Sequence, residues 1–137
     1  MTRFSVLWHE LEGAGFWCLN AETLDEVYPY LEDGSIRFAI REKIEPNMEV
    51  KFAKMALDLF SLHNCLTLVM NKKLLCISPL EVQIAFKMYL NSEKDIEDAR
   101  FLWLLFKEYL DNERLKYFAN QLKVKGEVFD HVTTISS

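Results

Sequence analysis

The sequence predicts an α+β fold, with a small, mainly antiparallel sheet followed by a C-terminal helical segment. Two observations support this prediction. Apolar and polar residues alternate over much of 35–54, which is typical of half-buried strands. Apolar residues instead recur at helical spacing between 78 and 125, which is typical of helices that bury one face.

The length and composition indicate one globular domain. The chain has 137 residues, of which 50% are hydrophobic and 27% charged. A chain of this size is long enough to bury a real core and short for two ordinary domains. We therefore expect a single domain over 1–137, with helices, strands and a central sheet over about 1–77, C-terminal helices over 78–125 and a polar tail over 126–137.

The charge and the cysteines restrict the classes of function. Sixteen basic and 21 acidic residues give a net charge of -5, which excludes a global basic surface for nucleic acid and requires any anion site to be local. The sequence predicts no signal peptide, no membrane span and a cytoplasmic protein. Cys18, Cys65 and Cys76 lie in apolar runs and are expected to be buried free thiols of a reducing compartment.

The N-terminal segment predicts two helices separated by a brief strand. Helical spacing begins at Phe4 and is interrupted at Gly13, and the strand covers 15–19. Asn20 is expected to precede the second helix, which ends at Gly34. The tryptophans on apolar stripes are expected in the core: Trp8, Trp17 and Trp103.

The central segment predicts four strands. Those at 35–42 and 48–54 are joined near Pro46, and those at 65–71 and 73–78 form a hairpin about Asn71. They are expected to build one small antiparallel sheet.

The C-terminal segment predicts three helices. Ser78, Pro79 and Glu81 have the order of a capping box, which places the first helix start there. Ser92 is expected to cap the second helix, which continues through 101–110, and Asp111 the third.

Charged residues collect where the first two of these helices meet. Lys87 lies late in the first helix, and Lys94, Asp95 and Asp98 lie in the first turns of the second. One interpretation is ordinary helix chemistry, since acids stabilise a helix N-terminus. The other is a phosphate-holding corner, in which the two acids orient the lysines or a metal-bound water. Sequence spacing leaves both interpretations open.

The run PLEVQIAFKMYLNSEKDIEDARFL, residues 79–102, resembles the C-terminal signature of nucleotidyltransferase-like proteins of the AbiEii abortive-infection type and their archaeal relatives. In that signature a helix lysine precedes a Lys-Asp-x-x-Asp element, matched here by Lys87, Lys94, Asp95 and Asp98. The resemblance implies a polymerase β-like nucleotidyltransferase fold and, in an active member, Mg²⁺ that aligns a nucleoside triphosphate. It also suggests a toxin-antitoxin or defence context.

The metal motif of that family is largely missing from this sequence. No Gly-Ser turn is followed by Asp-x-Asp, and Gly34-Ser35 leads into a strand whose charged positions are arginines. Glu49 matches the position of the family's third acid and is the candidate catalytic residue. The resemblance therefore implies a reduced form that is inactive by itself, or active with a partner chain that supplies the other carboxylates.

Two functions remain open from the sequence. The first is a reduced nucleotidyltransferase-like protein that binds a nucleotide or a nucleic-acid end without turnover, or works with a partner chain. The second is a protein-protein interaction module of a mobile element or defence system, which dimerises or binds another protein through its apolar helices and has no nucleotide site.

Overall fold

A computed structural model describes residues 2–134 and divides the chain into two compact units, Met1–Lys54 and Met55–Ser137. The described residues form seven helices and two small antiparallel sheets, of three and two strands. The predicted α+β class is confirmed. In the described part of the chain, we find no helix with the length and apolar character needed to cross a membrane.

The first unit contains two helices and a three-stranded sheet. Its elements are α1 (Arg3–Gly13), β1 (Phe16–Cys18), α2 (Leu24–Asp33), β2 (Ser35–Ile40) and β3 (Asn47–Lys51). The strands follow the order β1-β2-β3, and both neighbouring pairs are antiparallel. Side chains from both helices and from β2 form the core: Phe4, Trp8, Val27, Leu31, Ile36 and Phe38.

Helix α2 follows Asn20, as predicted, but Asn20 does not cap it. Thr23 is the N-cap, and the Glu26 carboxylate accepts hydrogen bonds from the backbone N–H groups of Glu22 (3.0 Å) and Thr23 (3.4 Å). Asn20 instead accepts a 2.7 Å bond from the backbone N–H of Arg37. Asn20 therefore bonds to the neighbouring strand, and the later Thr23 is the N-cap of α2.

Trp17 is also not a core residue, unlike Trp8 and Trp103, which are buried as predicted. It is 41% exposed, and its Nε1 donates a 2.9 Å hydrogen bond to the backbone oxygen of Lys43. The physical reason is strand alternation, which turns Trp17 to the face opposite that of its neighbours in β1.

The second unit contains a hairpin and five helices. Its elements are α3 (Ala56–His63), β4 (Leu66–Met70), β5 (Lys73–Ile77), α4 (Leu80–Leu90), α5 (Glu93–Phe106), α6 (Asn112–Gln121) and α7 (Gly126–Thr133). The helices share a core whose fully buried members include Ile84, Met88, Leu115 and Val132.

Three features of the strands and helices differ from the predictions. The four central strands belong to two separate sheets, since β4 pairs only with β5 among the described strands. Helix α3 follows β3 where no element was predicted, and α7 occupies most of the expected tail. Residues 135–137 of that tail lie outside the described residues. The short helices were missed because each has only about two turns in which to show an apolar period.

The predicted capping box at Ser78 is not formed. Helix α4 begins at Leu80 with Pro79 as its N-cap, and no side chain caps it. The buried carboxylate of Glu81 instead accepts a 2.9 Å hydrogen bond from the backbone N–H of Asp111, at the start of α6. Glu81 therefore joins two helices rather than closing the end of its own.

The prediction of three free thiols is wrong for two of the cysteines. Cys65 and Cys76 form a disulfide, with their Cα atoms 5.5 Å apart, whereas Cys18 is free and half-buried. Antiparallel pairing of β4 with β5 brings together two cysteines that lie 11 positions apart.

Candidate functional site

The predicted charged corner is present where α4 and α5 meet. Asn91 adopts a left-handed conformation (φ 55°) that ends α4, and Ser92 caps α5 by accepting a 3.2 Å hydrogen bond from the backbone N–H of Asp95. This tight connection brings the end of one helix beside the start of the next. The Lys87 ammonium consequently lies 2.7 Å from Oδ2 of Asp98 and 3.5 Å from Oδ1 of Asp95.

The electrostatics of the corner are those of an ion pair. The hydrogen bond to Asp98 is the main cause that raises the pKa of Lys87, and burial opposes it. The same bond lowers the pKa of Asp98, assisted by the charges of Lys87 and Lys94. Each group thus stabilises the charged form of the other.

Lys94 is exposed and contributes a nearby positive charge. The first turns of α5 carry four carboxylates: Glu93, Asp95, Glu97 and Asp98. Lys87 already directs its ammonium at two of these carboxylates. A phosphate would have to compete with them for Lys87 and would meet a net negative surrounding, so the arrangement is better suited to joining two helices than to holding an anion.

Glu49, the candidate catalytic acid, lies on β3 in the first unit, directly across from Arg37 on β2. Its carboxylate is 3.7 Å from the Arg37 guanidinium, and both side chains are more than half exposed. Between residues 2 and 134, no group of three or more His, Cys, Asp or Glu side chains is arranged to hold a metal ion. Mg²⁺ binding stays a prediction.

No protein-family model, curated protein or solved structure matches this chain. The resemblance to the AbiEii type therefore stays an interpretation of the sequence, carried mainly by residues 73–110.

The strongest surface feature of the second unit is one that the sequence analysis did not single out. The β4-β5 hairpin exposes large apolar side chains, here called the hairpin surface: Leu66, Leu68, Val69, Met70, Leu74 and Leu75. Val69 and Leu74 are cross-strand partners, 73% and 74% exposed. The two faces of this two-stranded sheet are both apolar, because Leu68 and Leu75 pair on the opposite face.

The hairpin surface also has a distinct charge. Residues 64–78 contain no acid, and their two cations are Lys72 at the turn and Lys73 beside it. The positive φ angles of Asn71 (52°) and Lys72 (63°) give the two-residue turn that suits strand twist. The sequence does contain a signal for the hairpin surface, since both strands are apolar almost throughout. Such strands indicate a sheet that is covered on both faces.

Proposed function

We propose that this chain is a protein-protein interaction module that self-associates through the hairpin surface. The observation that supports the proposal most directly is the exposure of Val69 and Leu74, each about three-quarters exposed on adjacent strands. Contiguous exposed apolar side chains on a folded protein mark interaction sites, because leaving them in water forgoes the hydrophobic free energy of burial.

The strand geometry supports the same function. A two-stranded sheet is marginally stable by itself. Among residues 2–134, β4 and β5 pair only with each other, so the outer edge of each strand presents backbone groups to a further strand. Pairing with another strand or packing under another apolar face would bury both the side chains and these groups.

A second copy of this chain is the occupant that we propose. The hairpin carries two lysines and no acid, whereas the whole chain has a net charge of -5, so the rest of the chain is acidic. Another copy therefore offers surfaces of complementary charge together with an identical apolar hairpin.

The nucleotide-binding function remains the second candidate, and the observation in its favour is the grouping of Lys87, Asp95 and Asp98 at one corner. The involvement of Lys87 in two ion contacts weakens this candidate.

The cytoplasmic location expected from the sequence also remains a proposal. The Cys65–Cys76 disulfide argues against it, because disulfides persist in oxidising compartments.

The test is sedimentation equilibrium over a wide range of protein concentration. We compare the wild type with the double variant Val69→Thr, Leu74→Thr, which keeps β-branched or strand-compatible side chains and removes apolar surface. The matched control is Phe101→Gln, Tyr109→Gln, which removes two exposed aromatic side chains from elsewhere in the same unit.

We expect the wild type and the control to dimerise and the hairpin variant to remain monomeric, with unchanged circular dichroism in all three. A wild type that is monomeric throughout the range would overturn the proposal. Equal weakening by the control would assign association to apolar surface in general and would overturn it as well.

A further inference from the structure

A cleft of about 980 Å³ lies in the first unit, alongside β1. Its lining comes from all of β1, from α1, from the start of α2 and from the segment after β2. The side chains that matter for its chemistry are Glu12, Trp17, Glu22, Glu26 and Arg41. This lining belongs entirely to residues 8–44, so the cleft is independent of the hairpin surface and of the function proposed above.

The backbone of β1 supplies the first argument about the ligand. In the three-stranded sheet, β1 is an edge strand whose described strand partner is β2. The backbone N–H of Leu19 donates a 2.8 Å hydrogen bond to the oxygen of Arg37 on β2. In an antiparallel pair, the backbone groups of every second residue bond to the partner strand. The backbone N–H and C=O of Trp17 therefore point toward β2, as the N–H of Leu19 does, and those of Phe16 and Cys18 point toward the free edge. An extended peptide can bond to them as an added strand.

The charges of the cleft supply the second argument. Three glutamates and one arginine line it. Glu22 and Glu26 lie just beyond the C-terminal end of β1, whereas Glu12 and Arg41 lie near its beginning, where the Arg41 N–H bonds to the oxygen of Gly15. The cleft therefore has a negative end and a mixed end, which favours a ligand with a positive side chain at the negative end.

Glu22 is the carboxylate available to such a ligand. Glu26 is already committed, since it accepts hydrogen bonds from the backbone at the start of α2. The Glu22 carboxylate has no hydrogen bond or ion pair with any residue between 2 and 134. It is exposed and free to accept from a lysine or arginine.

The aromatic lining supplies the third argument. The bond from Trp17 Nε1 to the Lys43 oxygen orients the indole ring, and the residue as a whole is 41% exposed. An exposed, oriented indole offers a face to the alkyl stem or the charged head of a basic side chain.

We propose that this cleft binds an extended, basic peptide segment, which adds as a strand to the free edge of β1 and places a lysine or arginine side chain against Glu22. Backbone hydrogen bonds at Phe16 and Cys18 give the pairing, and the charge at the end of β1 gives the preference for basic residues.

The test is an NMR titration of the full chain, following the backbone N–H signals of Phe16 and Cys18 and the indole N–H of Trp17. The probe is the capped peptide Thr-Lys-Val-Lys-Thr. Its two controls replace lysine by glutamate, or methylate the backbone nitrogens that would bond to β1. The Glu22→Gln variant is compared with Glu32→Gln, an exposed glutamate on α2 that does not line the cleft.

We expect the basic peptide to shift these three signals and to bind more tightly than either control peptide. Binding should weaken about threefold in Glu22→Gln, as for the loss of an exposed ion pair, and stay unchanged in Glu32→Gln. Equal binding of the acidic or the methylated peptide, equal affinity in the two variants, or no shift at millimolar peptide would overturn the proposal.

Discussion

Lys87 donates a 2.7 Å hydrogen bond to Asp98, and this bond joins the end of α4 to the second turn of α5. The residue types are those that a phosphate-binding corner would need, but the ammonium of Lys87 is already paired with the carboxylate of Asp98. The relationship explains why a sequence signal for anion binding can coincide with a structural ion pair.

The first prediction concerns the pH dependence of stability. The pKa of Asp98 is lowered from its ordinary value of 3.8, so its contribution is present above that value and lost as pH falls through the folded-state pKa. We expect Asp98→Asn to be less stable than the wild type at neutral pH and equally stable in strong acid. Urea unfolding at a series of pH values measures the difference.

Glu97→Gln is the control for this prediction, because it changes a neighbouring exposed acid outside the Lys87 ion contacts.

In alkaline solution the stability contributed by the same ion pair falls as pH rises, because Lys87 then loses its charge. The pKa of Lys87 is raised above 10.5, so its contribution persists through that value and is lost as pH rises through the folded-state pKa. A constant difference between wild type and Asp98→Asn at all pH values would contradict the ion pair.

The second prediction is that a nucleoside triphosphate does not bind at the Lys87 corner. The ammonium of Lys87 is held by two carboxylates, and Lys94 by itself is an exposed charge screened over about 8 Å at physiological salt. Calorimetric titration should therefore give the same absence of heat for the wild type and for Lys87→Ala, Lys94→Ala. Salt-sensitive binding that disappears in the double variant would favour the nucleotidyltransferase-like function instead.

The third prediction is that this chain alone does not transfer nucleotides. Two-metal displacement needs carboxylates that bridge both ions, and Glu49 is the single candidate in the sequence. Incubation with labelled triphosphates, Mg²⁺ or Mn²⁺ and RNA or protein acceptors should give no labelled product. Metal-dependent labelling that is absent in Glu49→Gln would reverse this conclusion.

The fourth prediction concerns the buried carboxylate of Glu81. Replacing Glu81 by Ala leaves the backbone N–H of Asp111 without its acceptor, which should cost about 1 to 3 kcal/mol in the free energy of unfolding. Glu81→Gln keeps an acceptor and should cost less. Ser78→Ala is the matched control, since the sequence assigned the cap to Ser78, and should change stability by less than about 0.5 kcal/mol. A lower denaturant midpoint for Ser78→Ala than for Glu81→Ala would contradict this prediction and support a capping box at Ser78.

The fifth prediction concerns the disulfide. Intact mass measured under native and reducing conditions should differ by two hydrogens, and alkylation without reductant should label Cys18 alone. Cys65 and Cys76 close a loop with a sequence separation of 11, so reduction should destabilise the hairpin by up to about 3 kcal/mol on chain-entropy grounds. Labelling of all three cysteines in protein that has never been exposed to reductant would contradict the pairing.

The sequence predicted correctly those elements whose signal is local. The period of α1, the alternation of β2 and the turn at Asn71 depend on neighbouring residues, and each is present in the structure. The cap at Ser92 was likewise predicted correctly, because the accepting Ser92 hydroxyl and the donating backbone N–H of Asp95 are only three residues apart.

Features that join distant residues were decided by tertiary structure. Ser78 and Glu81 have the spacing of a capping box. The Glu81 carboxylate instead points toward Asp111, 30 positions away, and accepts a hydrogen bond from its backbone N–H. The disulfide depends in the same way on the pairing of β4 with β5.

The candidate site shows the same division. The sequence by itself determined that Lys87, Asp95 and Asp98 would meet, because a helix end and the following helix start must lie close together across a short connection. How closely that lysine approaches the two acids was decided by tertiary packing, since the strength of an ion pair depends on separations of a few ångströms. The exposure of Val69 and Leu74 was also decided by tertiary structure, because an apolar run has the same residues whether or not the fold covers it.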